Sequence, residues 1–223
     1  MKKKSHVILT DHIASGLFSS HRLPLLCGSI LPDFLLYTFI RRHSWDKTHK
    51  MIFRKMRMLS SFGLDCAASS LKLGYILHYI EDYFTYPHNS NFEDSLDEHV
   101  RYENAQVLWL KQSLEADSIS GGKPSAAVSE LEDLKAGNIG IDHICRALEH
   151  MHEEYMANEQ GFQNDHDYMT KAVSMVSEYF SMVFEANTQK FLLFPEFPFK
   201  DFSDAVMEIL YSYCLCPAAK LQY

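Results

Sequence analysis

Residues 78–103 read HYIEDYFTYPHNSNFEDSLDEHVRYE, and Pro87 divides them. Proline has no amide hydrogen and its ring clashes with the preceding turn, so a helix carrying the first part must stop before it. His78 and Asp82 lie four apart on the first side, His99 and Glu103 lie four apart on the second, and His88 follows the proline directly. Side chains four apart share one face of a helix. The chain is therefore constrained to build two helices joined by a short loop, each presenting a histidine and a carboxylate on adjacent turns.

The rest of the sequence predicts an all-α fold, a multi-helix bundle, because alternating runs of β-branched residues are few and only nine glycines and seven prolines interrupt the chain. Val7, Ile8, Ile13, Leu17 and Phe18 mark a first helix after Ser5, whose hydroxyl is placed to cap it. The segment LPLLCGSILPD, residues 23–33, reads as turn-rich because it holds two prolines and Gly28, and it ends at Asp33. Further helices are expected over Asp46–Leu59, about 64–84 and about 94–114, then near 126–136, 141–158, 166–187 and 202–213. The stretch SISGGKPS, 118–125, is the one clear surface linker, and it is too short to separate two domains. The 223 residues read as a single domain, long enough to bury roughly 70% of the unfolded surface.

With 21 basic against 29 acidic residues the formal charge is −8, which argues against a protein that holds nucleic acid mainly through its phosphates. Bound dications would soften that charge locally. The five cysteines, Cys27, Cys66, Cys145, Cys214 and Cys216, have no framework spacing and suit a reducing, cytoplasmic setting. The start MKKKSHVILTDHIASGLFSS breaks its apolar run at Asp11 and His12, so no signal peptide is read, and no apolar run approaches a membrane span.

Histidine with carboxylate ligation fits catalytic zinc better than structural zinc, which usually closes its shell with thiolates. Asp82, with two oxygens, can bridge two ions spaced about 3.5–4 Å apart, the arrangement of two-metal phosphoesterases. A lone His–Asp pair is usually a solvated surface pair, but two pairs flanking a third histidine favour metal. His6, His12, Asp33, His43 and His49 are the upstream candidates. Other histidines invite plainer readings. His12 reads as a surface residue, EHMHEEYM at 149–156 as a charged solvated face, and His166–Asp167 as a helix start capped by Asn164 or Asp165. Cys214 and Cys216 read as a buried helix end, and the aromatic segment 191–199 as packing.

Taken in order, SHVIL at His6, GSILPD at Asp33, RRHSWDKTH at His43 and His49, HYIEDYFTYPH at His78, Asp82 and His88, and EHVRYE at His99 and Glu103 resemble the zinc-dependent phospholipase C family. That family is related more distantly to the S1/P1-type nucleases, and the motifs cover about the first 105 residues. The resemblance implies that His78, Asp82, Asp33 and one of His43 or His49 hold one zinc. It implies that His88, His99 and Glu103 hold another, and that His6 with Asp82 as a bridge holds a third. It also implies that Asp33 is the general base. Secreted members add the amino group and carbonyl of a processed N-terminal residue; the lysine-rich start here has no visible processing site, so His6 and Asp82 alone carry over at that position.

The expected protein is thus a hydrolase with two or three zinc ions that cleaves a phosphodiester by metal-activated water, with a phospholipid head group as the first substrate. An S1/P1-like nuclease or small phosphodiesterase with the same metals is the alternative, favoured if aromatic side chains are placed to stack a base. A helical metal-binding or interaction protein without catalysis is the second.

Overall fold

The computed structural model describes residues 1–34, 43–92, 95–120 and 139–193, with backbone alone for 114–120 and 193. Among the described residues there are seven α-helices and no strand. They are α1 (Lys3–Ala14), α2 (Arg22–Ile30), α3 (Trp45–Phe62), α4 (Ala67–Tyr83), α5 (Leu96–Ser120), α6 (Ile141–Ala157) and α7 (Phe162–Leu193). The stretch expected at 126–136, the last helix at 202–213, the linker from Gly121 onward, residues 194–199 and the Cys214–Cys216 pair lie outside the described residues.

Helix α4 is the centre of the bundle. Twelve of its 17 residues are buried, and α1, α2, α3 and α7 pack around it. Leu73, Ile76, Leu77 and Ile80 from α4 meet Leu9, Leu25, Ile52, Met56, Phe180 and Phe184 in the core. Asn187 on α7 donates to the carbonyls of Ser60 and Gly63 at 3.1 and 2.9 Å, tying that long helix to the end of α3.

The turn-rich reading of residues 23–33 is corrected: residues 22–30 are helical and a 3-10 turn, Leu31–Phe34, follows. Pro24 falls in the first turn of α2, where an amide hydrogen has no intrahelical partner to lose. Gly28 serves a close helix crossing rather than a bend. A methyl group on Gly28 would lie 2.1 Å from the Leu71 carbonyl oxygen, and one on Gly74 would lie 2.0 Å from that of Leu25. Two glycines thus let the backbones of α2 and α4 touch, which brings the turn carrying Asp33 beside His78.

Ser5 is likewise not a cap. Helix α1 begins at Lys3 and the Ser5 side chain is buried inside it, its hydroxyl without a hydrogen-bond partner. The break at Pro87 falls as expected: α4 ends at Tyr83 and a 3-10 turn covers Tyr86–His88. Asn89 donates to the carbonyls of Tyr83 and Thr85, both at 3.0 Å, and so satisfies acceptors that a helix end leaves open. Helix α5 starts in a capping box, with the Ser95 amide donating to Glu98 Oε2 at 2.8 Å and the Glu98 amide to Ser95 Oγ at 3.3 Å.

Gly74→Ala is expected to lower unfolding stability by about 3 kcal/mol, as overpacking does, although alanine is favoured over glycine by about 1 kcal/mol in a free helix. Denaturant titration of the two proteins measures the difference.

Candidate metal centre

Six parts of the chain converge at the C-terminal end of α4. His6 arrives from α1, Asp33 from the 3-10 turn after α2, His43 from the residues before α3, His78 and Asp82 from α4, His88 from the turn after Pro87, and His99 and Glu103 from α5. Their ligand atoms form three groups: His6, His78 and Asp82; Asp33, His43 and His78; and His88, His99 and Glu103. Within each group the atoms lie within 4.8 Å of one another.

Asp82 is 1% exposed and stands at the middle. Its Oδ2 faces His43 Nδ1 at 3.1 Å and His78 Nε2 at 3.4 Å. Its Oδ1 faces His6 Nε2 at 3.4 Å and His88 Nε2 at 3.6 Å. On the far side, Glu103 Oε1 lies 3.3 Å from His88 Nε2 and 3.0 Å from His99 Nε2. Asp33 Oδ1 lies 3.7 Å from His78 Nε2 and is the most open carboxylate of the centre, 22% exposed.

Ring orientation is set by bonds on the opposite nitrogens. His78 Nδ1–H donates to the Ser29 carbonyl at 2.8 Å, which leaves Nε2 facing the carboxylates. His6 Nδ1–H donates to Glu81 Oε2 at 2.5 Å, and His6 Nε2, fully buried, has no hydrogen-bond partner. That nitrogen faces Asp82 Oδ1 at 3.4 Å, and a metal ion between the two could take the place of the imidazole proton.

A cation already stands in the centre. The Met1 amino group lies 2.8 Å from Asp82 Oδ1, 2.9 Å from Glu103 Oε1 and 2.6 Å from His88 Nε2. Burial opposes its charge, but Asp82 and Glu103 prevail and push it up to about 10. Burial also opposes the charge of His6, which Asp82 and Glu81 nevertheless push up to about 9. Burial drives His88 down to about 4 and, with the charge of His6 beside it, holds His78 well below its ordinary range. Despite its own burial, Asp82 is held well below the usual carboxylate range by His88 and the Met1 amino group. The donor set of imidazole nitrogens and carboxylate oxygens converging on positive charge fits zinc.

His43 and His49, left open in the sequence, separate here. His43 is in the cluster, whereas His49 Nδ1–H donates to the Trp45 carbonyl at 2.7 Å and its ring stacks on Trp45. His12 is exposed, and His150 pairs with Glu154 at the surface, 3.3 Å away. His152 departs from the solvated reading of its segment: it is buried, its ring stacks 4.0 Å from that of Trp45, and Nε2–H donates to Asn89 at 2.9 Å. It thereby braces the turn that carries His88.

Asp165 is the second residue that the sequence misplaced. Because α7 begins at Phe162, Asp165 lies inside the helix and is completely buried. Its Oδ2 accepts from Tyr102 at 2.8 Å, Gln106 at 2.9 Å and the Tyr86 amide at 3.3 Å, and its Oδ1 from Tyr155 at 2.7 Å. One carboxylate therefore ties α7 to α6, to α5 beside Glu103, and to the turn before His88. Burial pushes it up to about 6, against the pull of those donors.

Two groups placed at this cluster escaped sequence reasoning, the Met1 amino group and Glu81. Glu81 does leave a trace: between Lys72 and Glu81 the helix has no charged residue, so the Glu81–Asp82 pair introduces two acids into an otherwise apolar helix.

An all-α fold gathers histidines and carboxylates from six segments into three adjoining groups, each of which could hold a metal ion. The particular family follows from comparison: the family model described as zinc dependent phospholipase C matches residues 5–162, and the chain belongs to that family. No curated protein and no solved structure matches it. The match extends past the metal motifs through α6 to the start of α7, so it includes the helix that braces the His88 turn. Among the described residues, no helix is long and apolar enough to cross a membrane.

Asp165→Asn is expected to destabilise the protein by about 1–3 kcal/mol, the cost of a buried donor left without its acceptor. Because folding raises the Asp165 carboxyl above its unfolded value, its contribution is full below the unfolded range and is lost as pH rises through about 6. Denaturation of both proteins at pH 5 and pH 8 should show that the variant lacks this part of the pH dependence.

Proposed function

We propose that the protein is a zinc-dependent phosphodiester hydrolase of the phospholipase C type, with a phospholipid head group as the bond it cleaves. The observation that carries this reading is Asp82, a buried carboxylate whose two oxygens face different sets of donors. We assign Asp33, His43, His78 and Asp82 to one metal, His88, His99 and Glu103 to a second, and His6 with Asp82 to a third. The reading takes residues 1–223 as one domain whose metal donors lie within the first 105 residues.

Zinc held by these donors would supply an activated water and positive charge against the non-bridging oxygens of the phosphate. The chain's own residues do the remainder. Asp33 is the carboxylate open to the outside, and burial raises it above an ordinary aspartate, which suits it to take the proton of the attacking water. Asp82 and Glu103 stay ionised and hold the cluster together. Ser29 and Asn89 fix His78 and the His88 turn.

The described rim supports an amphiphilic phosphoester. Phe34, next to Asp33, is 64% exposed, and the Lys3 ammonium lies 4.4 Å from the centre of its ring. An apolar ring with a cation on it suits a substrate with a hydrocarbon part and a phosphate. A nuclease would use such a ring to stack a base, so the choice between lipid and nucleotide rests on the hydrolysis assays below. Cys66 and Cys145 are free thiols, which supports a reducing, cytoplasmic setting.

Purified without chelator, the protein is expected to hold two to three equivalents of zinc by elemental analysis; less than one equivalent overturns the reading. Hydrolysis of a phosphatidylcholine analogue, a nucleotide ester and bis-p-nitrophenyl phosphate distinguishes lipase from nuclease. Asp82→Asn should lose metal and activity together, by more than the roughly 100-fold that losses beyond the ligands themselves cause.

A further inference from the structure

We infer that Glu81 is a positioning residue, which holds His6 in the one tautomer able to ligate a metal shared with Asp82. The inference rests on the multi-metal reading above and deepens it at the position where fewest side chains converge.

Glu81 lies on α4 beside Asp82, yet its carboxylate turns away from the other donors and toward α1. Oε2 accepts from His6 Nδ1–H at 2.5 Å and Oε1 accepts from Thr10 Oγ1 at 2.8 Å. Glu81, His6 and Thr10 are all fully buried. Thr10 follows His6 by one helical turn, so α1 presents both donors on the face that meets Glu81. The three form a closed chain in which Thr10 fixes the carboxylate and the carboxylate fixes the imidazole.

Neutral imidazole carries one proton, and the bond made by one nitrogen decides what the other can do. With the proton on Nδ1 and directed to Glu81, His6 Nε2 keeps its lone pair toward Asp82 Oδ1, 3.4 Å away. Without that acceptor, the proton on Nε2 would donate to Asp82 itself, and the lone pair would point out of the centre. Glu81 removes this competing arrangement. It also places negative charge behind the ring, which strengthens Nε2 as a donor. A carboxylate serving only to pin α1 to α4 would not require a histidine whose far nitrogen is buried with no hydrogen-bond partner.

The test compares wild type with Glu81→Leu, Glu81→Gln and Thr10→Val. Zinc content and affinity are measured by elemental analysis and competition with a chromophoric chelator, and His6 is observed by nitrogen-15 NMR in the zinc-loaded proteins. Wild type should show His6 protonated on Nδ1 and coordinated through Nε2. Glu81→Leu should lose one zinc equivalent and that signature while keeping the remaining metal. Glu81→Gln, which preserves an acceptor but not the charge, should retain the signature with affinity for that zinc weakened about 10-fold. Thr10→Val should weaken it less.

A purely structural role would lower thermal stability in these variants and leave zinc stoichiometry and the His6 signature unchanged, and that result overturns the inference. If Glu81→Leu does not fold, unchanged affinity in both Glu81→Gln and Thr10→Val overturns it equally. Wild type without zinc would refute the functional reading before any variant is compared, whereas zinc-loaded wild type with Nε2-protonated His6 would refute the role of Glu81 alone.

Discussion

A carboxylate withdrawn almost completely from water is the constraint around which this bundle is arranged. Burying an ionised group without partners costs several kcal/mol even after the protein relaxes, a large share of the 5–15 kcal/mol that separates a folded domain from its unfolded chain. Asp82 is tolerable because the Met1 amino group and the rings of His6, His43, His78 and His88 surround it. Those partners come from the start of the chain, α1, α4, the residues before α3 and the turn after Pro87, so the arrangement around Asp82 depends on the packing of all of them. Ions bound there would contribute directly to folding stability, since the unfolded chain offers no comparable site.

The donors closest to the helix ends require a second kind of support. His88 sits on a turn of a few residues, an element with little rigidity of its own. Asn89 holds it to the end of α4, His152 holds Asn89, and Asp165 holds the Tyr86 amide while reaching Tyr102, the neighbour of Glu103. The later helices α6 and α7 supply no ligand among the described residues. Their buried polar residues nonetheless contact the turn that carries His88 and the helix that carries Glu103, and the family match runs on through α6 to residue 162.

Much of this was legible in the sequence, and the exceptions have physical causes. Local spacing exposed the His78–Asp82 and His99–Glu103 pairs, and Pro87 correctly separated their helices, because both effects act within a turn or two. Residues 23–33 were misread because proline and glycine have opposite meanings according to context: Pro24 is harmless in a first turn, and Gly28 is required by another helix distant in sequence. Ser5 and Asp165 looked like caps because their short polar side chains suit helix starts, yet both lie inside helices. His152 resembled a surface residue until Trp45, more than a hundred positions earlier, came to stack on it. Glu81 and the Met1 amino group act on partners 75 and 81 residues away, and no local pattern reports such distances.

The crossing of α2 and α4 gives the candidate metal centre a property that its histidines and carboxylates alone would not have. Ser29, whose carbonyl receives the His78 ring proton, is the residue after Gly28, and Asp33 follows one turn further on. Where two helices meet through long side chains, rotamer changes let them slide and re-settle; where backbone rests on backbone, there is no such slack. The separation between Asp33 and His78 is therefore gauged by main-chain atoms, as a calliper is gauged by its frame. Two hydrogen atoms, at positions 28 and 74, thus help to set the geometry of the candidate centre, although neither lies among its donors.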